Sequence, residues 1–341
     1  MKRILLSLMA LLTLTGTLRA QLLWKIESDK LSKPSYVMGT YHLAKVAFVD
    51  SVPGLRDALA ACEQVYGELD MQALMSDPQL AVQVQQYMML PEGTTIDSLL
   101  TAEQLQRLNE FLRNHMGADL ENPMLAQLKL LKPAALQQQL TVLLCLKIEQ
   151  GFNPQEQFDT YFQKVAAEQH KAVGGLEQPD FQFDILFNQA SLERQAEQLM
   201  CLVDDADYTQ QMLQRIIQAF YAQDMQALAQ LNDEKRHNQC DSTPAEEDAL
   251  IYNRNANWAE ALPGIMQQKS TFVAVGALHL PGPRGLLQLL RDKGYTVTPV
   301  TAAREAVTHT PEFPYFCTLK RRAVKLASQN LPWVNHSLRS N

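Results

Sequence analysis

Apolar and polar positions follow two rhythms along this chain, and the changes of rhythm divide it. Near the start, "LLWKIES" (22–28) and "SYVMG" (35–39) are short runs of strand type parted by the turn-prone "SDKLSKP", which predicts a β-hairpin. "VPGLRDALAACEQ" then sets Leu55, Leu59 and Cys62 at helical spacing, and "QVYGELD" returns to a strand that ends in acids. From Met71 to about His170 the period is helical, punctuated by Pro123 and Pro133. Thr101 and Gln104 form a capping box ahead of "LQRLNEFL"; Asn153 and Glu156, with Pro154 at the first helical position, form another ahead of "FDTYFQKVAAE". "KAVGGLE" (171–177) is a strand that stops on a carboxylate. A second helical stretch runs from Pro179 to about Pro263, with Thr243 and Glu246 capping its last helix. The close is a strand in "TFVAVGALHL", an amphipathic helix in "RGLLQLLRDKG" and a strand in "YTVTPV" (295–300). Beyond about residue 301 no period is clear, and a surface tail to residue 341 is expected.

Strands at the two ends and once in the middle, separated by helices, predict an α+β fold. One central mixed sheet, built from N- and C-terminal strands and covered by helices, carries large helical insertions at about 72–170 and 179–263. A single domain over 21–300 follows.

Composition narrows the setting. With 341 residues, 46% hydrophobic and 20% charged, the chain can bury a substantial core. Lys2 and Arg3 precede the apolar stretch Ile4 to Leu14, and Ala20 offers a small residue for cleavage, so residues 1–20 are expected to be a secretory signal peptide. The apolar part is short for a membrane span, and nothing later approaches one, so a periplasmic or secreted protein with no membrane span after signal removal is expected. Net charge is already −7, and losing Lys2, Arg3 and Arg19 makes the remainder more acidic, which disfavours nucleic acid as a partner. The five cysteines show no metal-knuckle spacing; Cys201 and Cys240 could pair, which the sequence alone leaves open.

Candidate chemistry sits where strands end. His42 lies three residues after Gly39, Glu68 and Asp70 end "VYGELD", Glu177 ends "VGGLE", and His279 lies three residues after Gly276. In sheets flanked by helices, ligand and catalytic groups gather at strand ends, and a glycine there permits a sharp exit or a close backbone approach. Two imidazoles with one or more carboxylates suit a divalent ion such as manganese, cobalt or zinc, which would lower the pKa of bound water to about 7 and drive hydrolysis. Without metal, an imidazole paired with Glu68 can act as a general base. Each group also has a structural explanation. A histidine after a strand can simply be satisfied in place, Asp70 can cap a helix, and Glu177 can oppose a helix dipole; Glu68 inside "VYGEL" is harder to dismiss, because an inward carboxylate needs a partner. Arg254, on a helix ahead of the closing strands, could clamp Glu177 or Glu68 with parallel hydrogen bonds, steady an oxyanion, or lie on the surface.

In these residues the chain resembles the TraB/GumN family, related to the TIKI proteins that are described as metal-dependent proteases. "LLWKIES…SYVMGTYHLA" is similar to the family's opening strand pair with its Gly-x-x-His, and "VPGLRDALAACEQVYGELD" to the segment leading to its Glu-x-Asp. "LPEGTTIDSLLTAEQLQRL", "FDTYFQKVAAEQHKAVGGLE", the Arg-Asn pair of "IYNRNANWAEALPGIM" and the second Gly-x-x-His of "FVAVGALHLPGPRGLLQLLRDKGYTV" follow in the family's order. The resemblance implies a peptidase acting on a peptide or protein substrate. His42, Glu68 and His279 would be its catalytic set, and His42, Glu68, His279 and Glu177 its metal ligands. Arg254, Tyr41 and Asp70 would bind substrate or support the site. Leu278 and Tyr41 are bulkier than the family's usual residues before each histidine. A peptide- or haem-binding protein on the same scaffold, or a silent envelope protein whose histidines only buttress the fold, are the alternatives.

Overall fold

A computed structural model describes residues 21–153 and 156–301 of the chain. The expected signal peptide, the Pro154 capping position and the tail after residue 301 lie outside the described residues. Six strands form one sheet: β1 (Leu23–Glu27), β2 (Ser35–Thr40), β3 (Gln64–Gly67), β4 (Ala172–Gly175), β5 (Thr271–Gly276) and β6 (Thr296–Pro299), in the spatial order β4-β3-β5-β2-β1-β6. The hairpin partners β1 and β2 are antiparallel, with Leu23 opposite Met38 and Ile26 opposite Ser35. β2, β5, β3 and β4 run parallel, and β6 is antiparallel to β1, so the sheet is mixed and the fold is α+β.

Parallel strands covered on both faces read as continuous apolar runs. β5 fits that rule, with Phe272, Val273, Ala274 and Val275 all buried, and it occupies the interior between β3 and β2. The core around the sheet includes Phe158, Phe162, Phe220 and Trp258 from helices of the two insertions. A separate core lies inside the helical insertions, where Leu108, Leu112, Leu136, Leu140, Leu144 and Leu199 pack together. Cys201 and Cys240 form a disulfide. No helix among the described residues is long and apolar enough to cross a membrane.

Helix signals succeeded where side chains cap and failed where tertiary burial decided. Thr101 accepts from the Gln104 N–H and Gln104 reaches back to the Thr101 N–H, closing the expected box. The helix expected from Pro154 begins instead at Phe158, with Gln157 at its N-cap and no side-chain cap bond. Pro263 was expected to end its helix, but Asn253–Gln268 runs through it. Trp258, Leu262 and Met266 are buried on that helix, and their apolar contribution outweighs the proline's lost hydrogen bond.

Candidate functional site

The parallel arrangement brings the carboxyl ends of β2, β3, β4 and β5 to one edge of the sheet, and the residues just past those ends are His42, Glu68, Glu177 and His279. Open α/β sheets place ligands at this edge. β3 and β4 leave the sheet together: the Leu176 and Glu177 N–H groups both donate to the Glu68 carbonyl at 3.0 Å, which fixes the two glutamates as neighbours.

Arg254 organises this edge. Its helix follows one π turn, Asp248–Tyr252, and the Leu250 carbonyl in that turn accepts from Nη1 at 3.0 Å. Nη2 donates to Glu68 Oε2 and to Glu177 Oε1, both at 2.6 Å, and Nε contacts both Glu177 oxygens at 3.1 Å. Gln182 Nε2 bridges the same two carboxylates at 2.9 Å each, Trp258 Nε1 donates to Glu177 Oε2, and the Gly276 N–H donates to Glu68 Oε1 at 2.9 Å. A Cβ on Gly276 would stand 3.3 Å from Glu68 Oε1, so the glycine serves close approach rather than a sharp turn.

The two imidazoles differ. Asn255 Nδ2 donates to the Arg284 carbonyl, so its Oδ1 is the acceptor that faces His279 Nδ1 at 2.7 Å. This network assigns the proton to Nδ1 and leaves Nε2 as a lone pair, 3.3 Å from Arg254 Nη1. Burial pushes His279 down to about 4, with Glu68 opposing and Arg254 and His42 reinforcing the shift, so the ring is neutral at pH 7. His42 Nδ1 instead meets Asp159 Oδ2 at 2.6 Å, and Asp159 pushes it up to about 9. The His42 side chain is exposed over 76% of its surface, and water reaching it screens that pair.

Burial alone would raise the pKa of Glu68. The positive charges of His279, Arg254 and His42 and the Gly276 N–H overcome that and take it down to about 2, the His279 share acting only where that ring is itself protonated. Burial raises Glu177, against the pull of Arg254 and Trp258.

A cleft of about 380 Å³ opens on this edge, lined by His42, Asp159, Glu68, Arg254, Gln182 and Gln138 among others. Glu177 and His279 do not line it; they grip Arg254 and Glu68 from the buried side. Asp70 lies elsewhere, capping the helix Met71–Ser76 through the Ala73 N–H at 2.9 Å. Tyr41 turns into the aromatic core, 5.6 Å from the Phe220 ring, and neither lines nor fills the cleft. Asp159 and Gln182 carry no signal of a site in the sequence, and Asn255 stands out only as the second member of the Arg-Asn pair, with no role attached. An aspartate at the start of a helix signals only a favourable dipole contact, and nothing marks the amides as partners until the fold sets them against charged groups.

The family model of the TraB/PrgY/gumN family matches residues 22–299. The chain belongs to this family. No curated protein and no solved structure matches it. In this TraB/PrgY/gumN protein the donors of the expected metal set are only partly free. His279 Nε2 and Glu68 Oε1 stand 3.8 Å apart, a spacing two ligands of one ion can share, and both are deprotonated at neutral pH. The Arg254 guanidinium already holds the carboxylates, and among the described residues no three His, Cys, Asp or Glu side chains converge as a ligand set. As arranged, the residues do not fit a three-ligand metal centre; a guanidinium supplies the positive charge at their midst.

Proposed function

We propose that this TraB/PrgY/gumN protein is an exported hydrolase of peptide bonds that works in the cleft at the carboxyl edge of its sheet. The observation that supports this best is the pairing, in one cleft, of an accessible imidazolium held by a carboxylate with a buried carboxylate locked in its ionised form. His42, oriented by Asp159, donates a hydrogen bond to the substrate carbonyl oxygen as negative charge develops there, then passes its proton to the departing nitrogen. The free lone pairs of Glu68 orient the attacking water; with its basicity so depressed, Glu68 positions rather than abstracts, so the water's proton leaves to solvent as the new carboxyl group ionises, and solvent returns a proton to His42. Arg254 keeps Glu68 charged and in place, and Glu177, Gln182 and Trp258 keep Arg254 in place. Export is supported by the leader-like residues 1–20 and by the Cys201–Cys240 disulfide, a bond that persists in oxidising compartments.

The test is a peptide-library cleavage assay on the purified chain with and without a chelator. Cleavage that survives chelation and disappears in His42→Ala is expected. Peptides that bind but are never cut would make the protein a binding module and overturn the proposal. Cleavage lost on chelation and restored by manganese, cobalt or zinc would replace the acid–base sequence with an ion held at Glu68 and His279.

A further inference from the structure

The helix Pro133–Ile148 is apolar on almost every side. Leu136, Leu140 and Leu144 point inward at helical spacing and are fully or nearly fully buried. On its other side Val142 and Leu146 remain 38% and 39% exposed, where a surface helix would carry polar residues. Together with Met116 and Leu128 they line a groove of about 440 Å³. Single exposed apolar side chains are ordinary, but several around one groove mark a place that something covers.

The groove adjoins the cleft. Gln138 lines both, and Gln139 lines the groove beside it. Both amides are exposed and, among the described residues, neither has a side-chain hydrogen bond within the protein. A primary amide donates and accepts at once, which matches the N–H and C=O of a peptide unit. A fatty acyl chain would use the apolar wall and leave the amides idle.

We infer that this groove is an extended subsite that binds an apolar stretch of the polypeptide substrate, on one side of the bond placed in the cleft. Apolar side chains of the substrate pack on Val142, Leu146 and Met116 while Gln138 and Gln139 take up its backbone where it passes from groove to cleft. This rests on the peptide-hydrolase reading for its substrate class, and its test separates the two. The protein therefore selects substrates by hydrophobic residues remote from the reacting bond.

Affinity is measured by fluorescence anisotropy on the His42→Ala chain, which removes the cleaving group. The probes are a labelled peptide with a leucine- and valine-rich half and the same peptide with serine at those positions. The apolar peptide is expected to bind about tenfold more tightly, and Val142→Glu is expected to erase that advantage. Should Val142→Glu fail to fold by circular dichroism, Leu146→Gln serves in its place. Equal binding of the two peptides, or insensitivity to both variants, overturns the subsite. A second copy is the occupant, and the inference falls, if the chain sediments as a dimer that Val142→Glu dissociates without changing peptide affinity. Tighter binding of a straight-chain fatty acid than of the apolar peptide overturns it too. Apolar peptide bound through the groove but cut by no form of the protein keeps the subsite and sinks only the hydrolase.

Discussion

His42 and His279 stand at equivalent places, each three residues beyond a glycine in the last two positions of neighbouring parallel strands, yet they are opposite in charge and exposure. His42 is open to water, faces a carboxylate and is held protonated; His279 is 5% exposed, faces an amide oxygen and a guanidinium, and is held neutral. The repeated motif places an imidazole at the sheet edge and leaves its protonation to whatever the insertions bring against it. Asp159, from the first insertion, makes one ring an acid; burial, with Arg254 from the second, keeps the other neutral, and Asn255 sets its tautomer so that Nε2 is the acceptor.

Removing Arg254 is expected to break this division most severely. Arg254→Ala leaves Glu68 and Glu177 buried without their counter-charge, which should cost about 3–5 kcal/mol of unfolding free energy in a denaturant titration. In the same variant the His279 ring, freed of a positive neighbour and still beside Glu68, should titrate at higher pH by NMR, drawing the two imidazoles together. Adding Glu177→Gln to Arg254→Met should recover part of the stability, since a neutral amide no longer needs a cation. No loss of stability in Arg254→Ala would mean that the guanidinium does not organise the edge.

How far this contrast was visible beforehand depends on the residue. The strand ends, the hairpin and both Gly-x-x-His positions were legible because apolar runs and breaking glycines are local signals. Arg254 was also legible in outline: a guanidinium near two strand-end glutamates has an obvious partner, and it takes both. What the sequence could not reveal was which partner each histidine acquires, because Asp159 lies 117 residues from His42 and reads as a helix-start acid. Asp70 and Tyr41 are site residues by the family resemblance alone. A capping bond claims the first and an aromatic core the second, both tertiary outcomes of where the neighbouring helices fall. The metal expectation treated His42, Glu68, Glu177 and His279 as free donors, whereas the fold commits both carboxylates to Arg254.

The two rings should also tilt stability in opposite directions with pH. His279 titrates near 4 in the folded chain and near 6.5 when unfolded, so between those values the unfolded chain binds a proton that the folded one refuses. Stability then falls as pH drops through that window, by up to about 3 kcal/mol. Glu68, folded near 2 and ordinarily 4.5, adds its loss only below about pH 4.5. Thermal melting of His279→Gln between pH 6.5 and 4.5 should therefore be flatter than that of the parent chain. A parent melting temperature that stays level across this range would show that His279 is not held neutral.

At His42 the sign reverses. Its folded pKa is raised to about 9, so the contribution is full below about 6.5 and is lost as pH climbs through 9. Because the ring is largely exposed, water screens its contact with Asp159, and the stability change should be the smallest of the three. The clearer readout is proton-transfer competence. If His42 acts as the acid, kcat/KM holds up to about pH 9 and declines above it, and Asp159→Asn, which removes the charge but keeps the shape, moves that decline toward the ordinary imidazole value near 6.5. NMR titration of the His42 ring should move by the same amount in the same direction. A decline that stays put in Asp159→Asn while the ring's own titration shifts would show that another group supplies the proton, and the asymmetry between the two imidazoles would then belong to the fold rather than to the reaction.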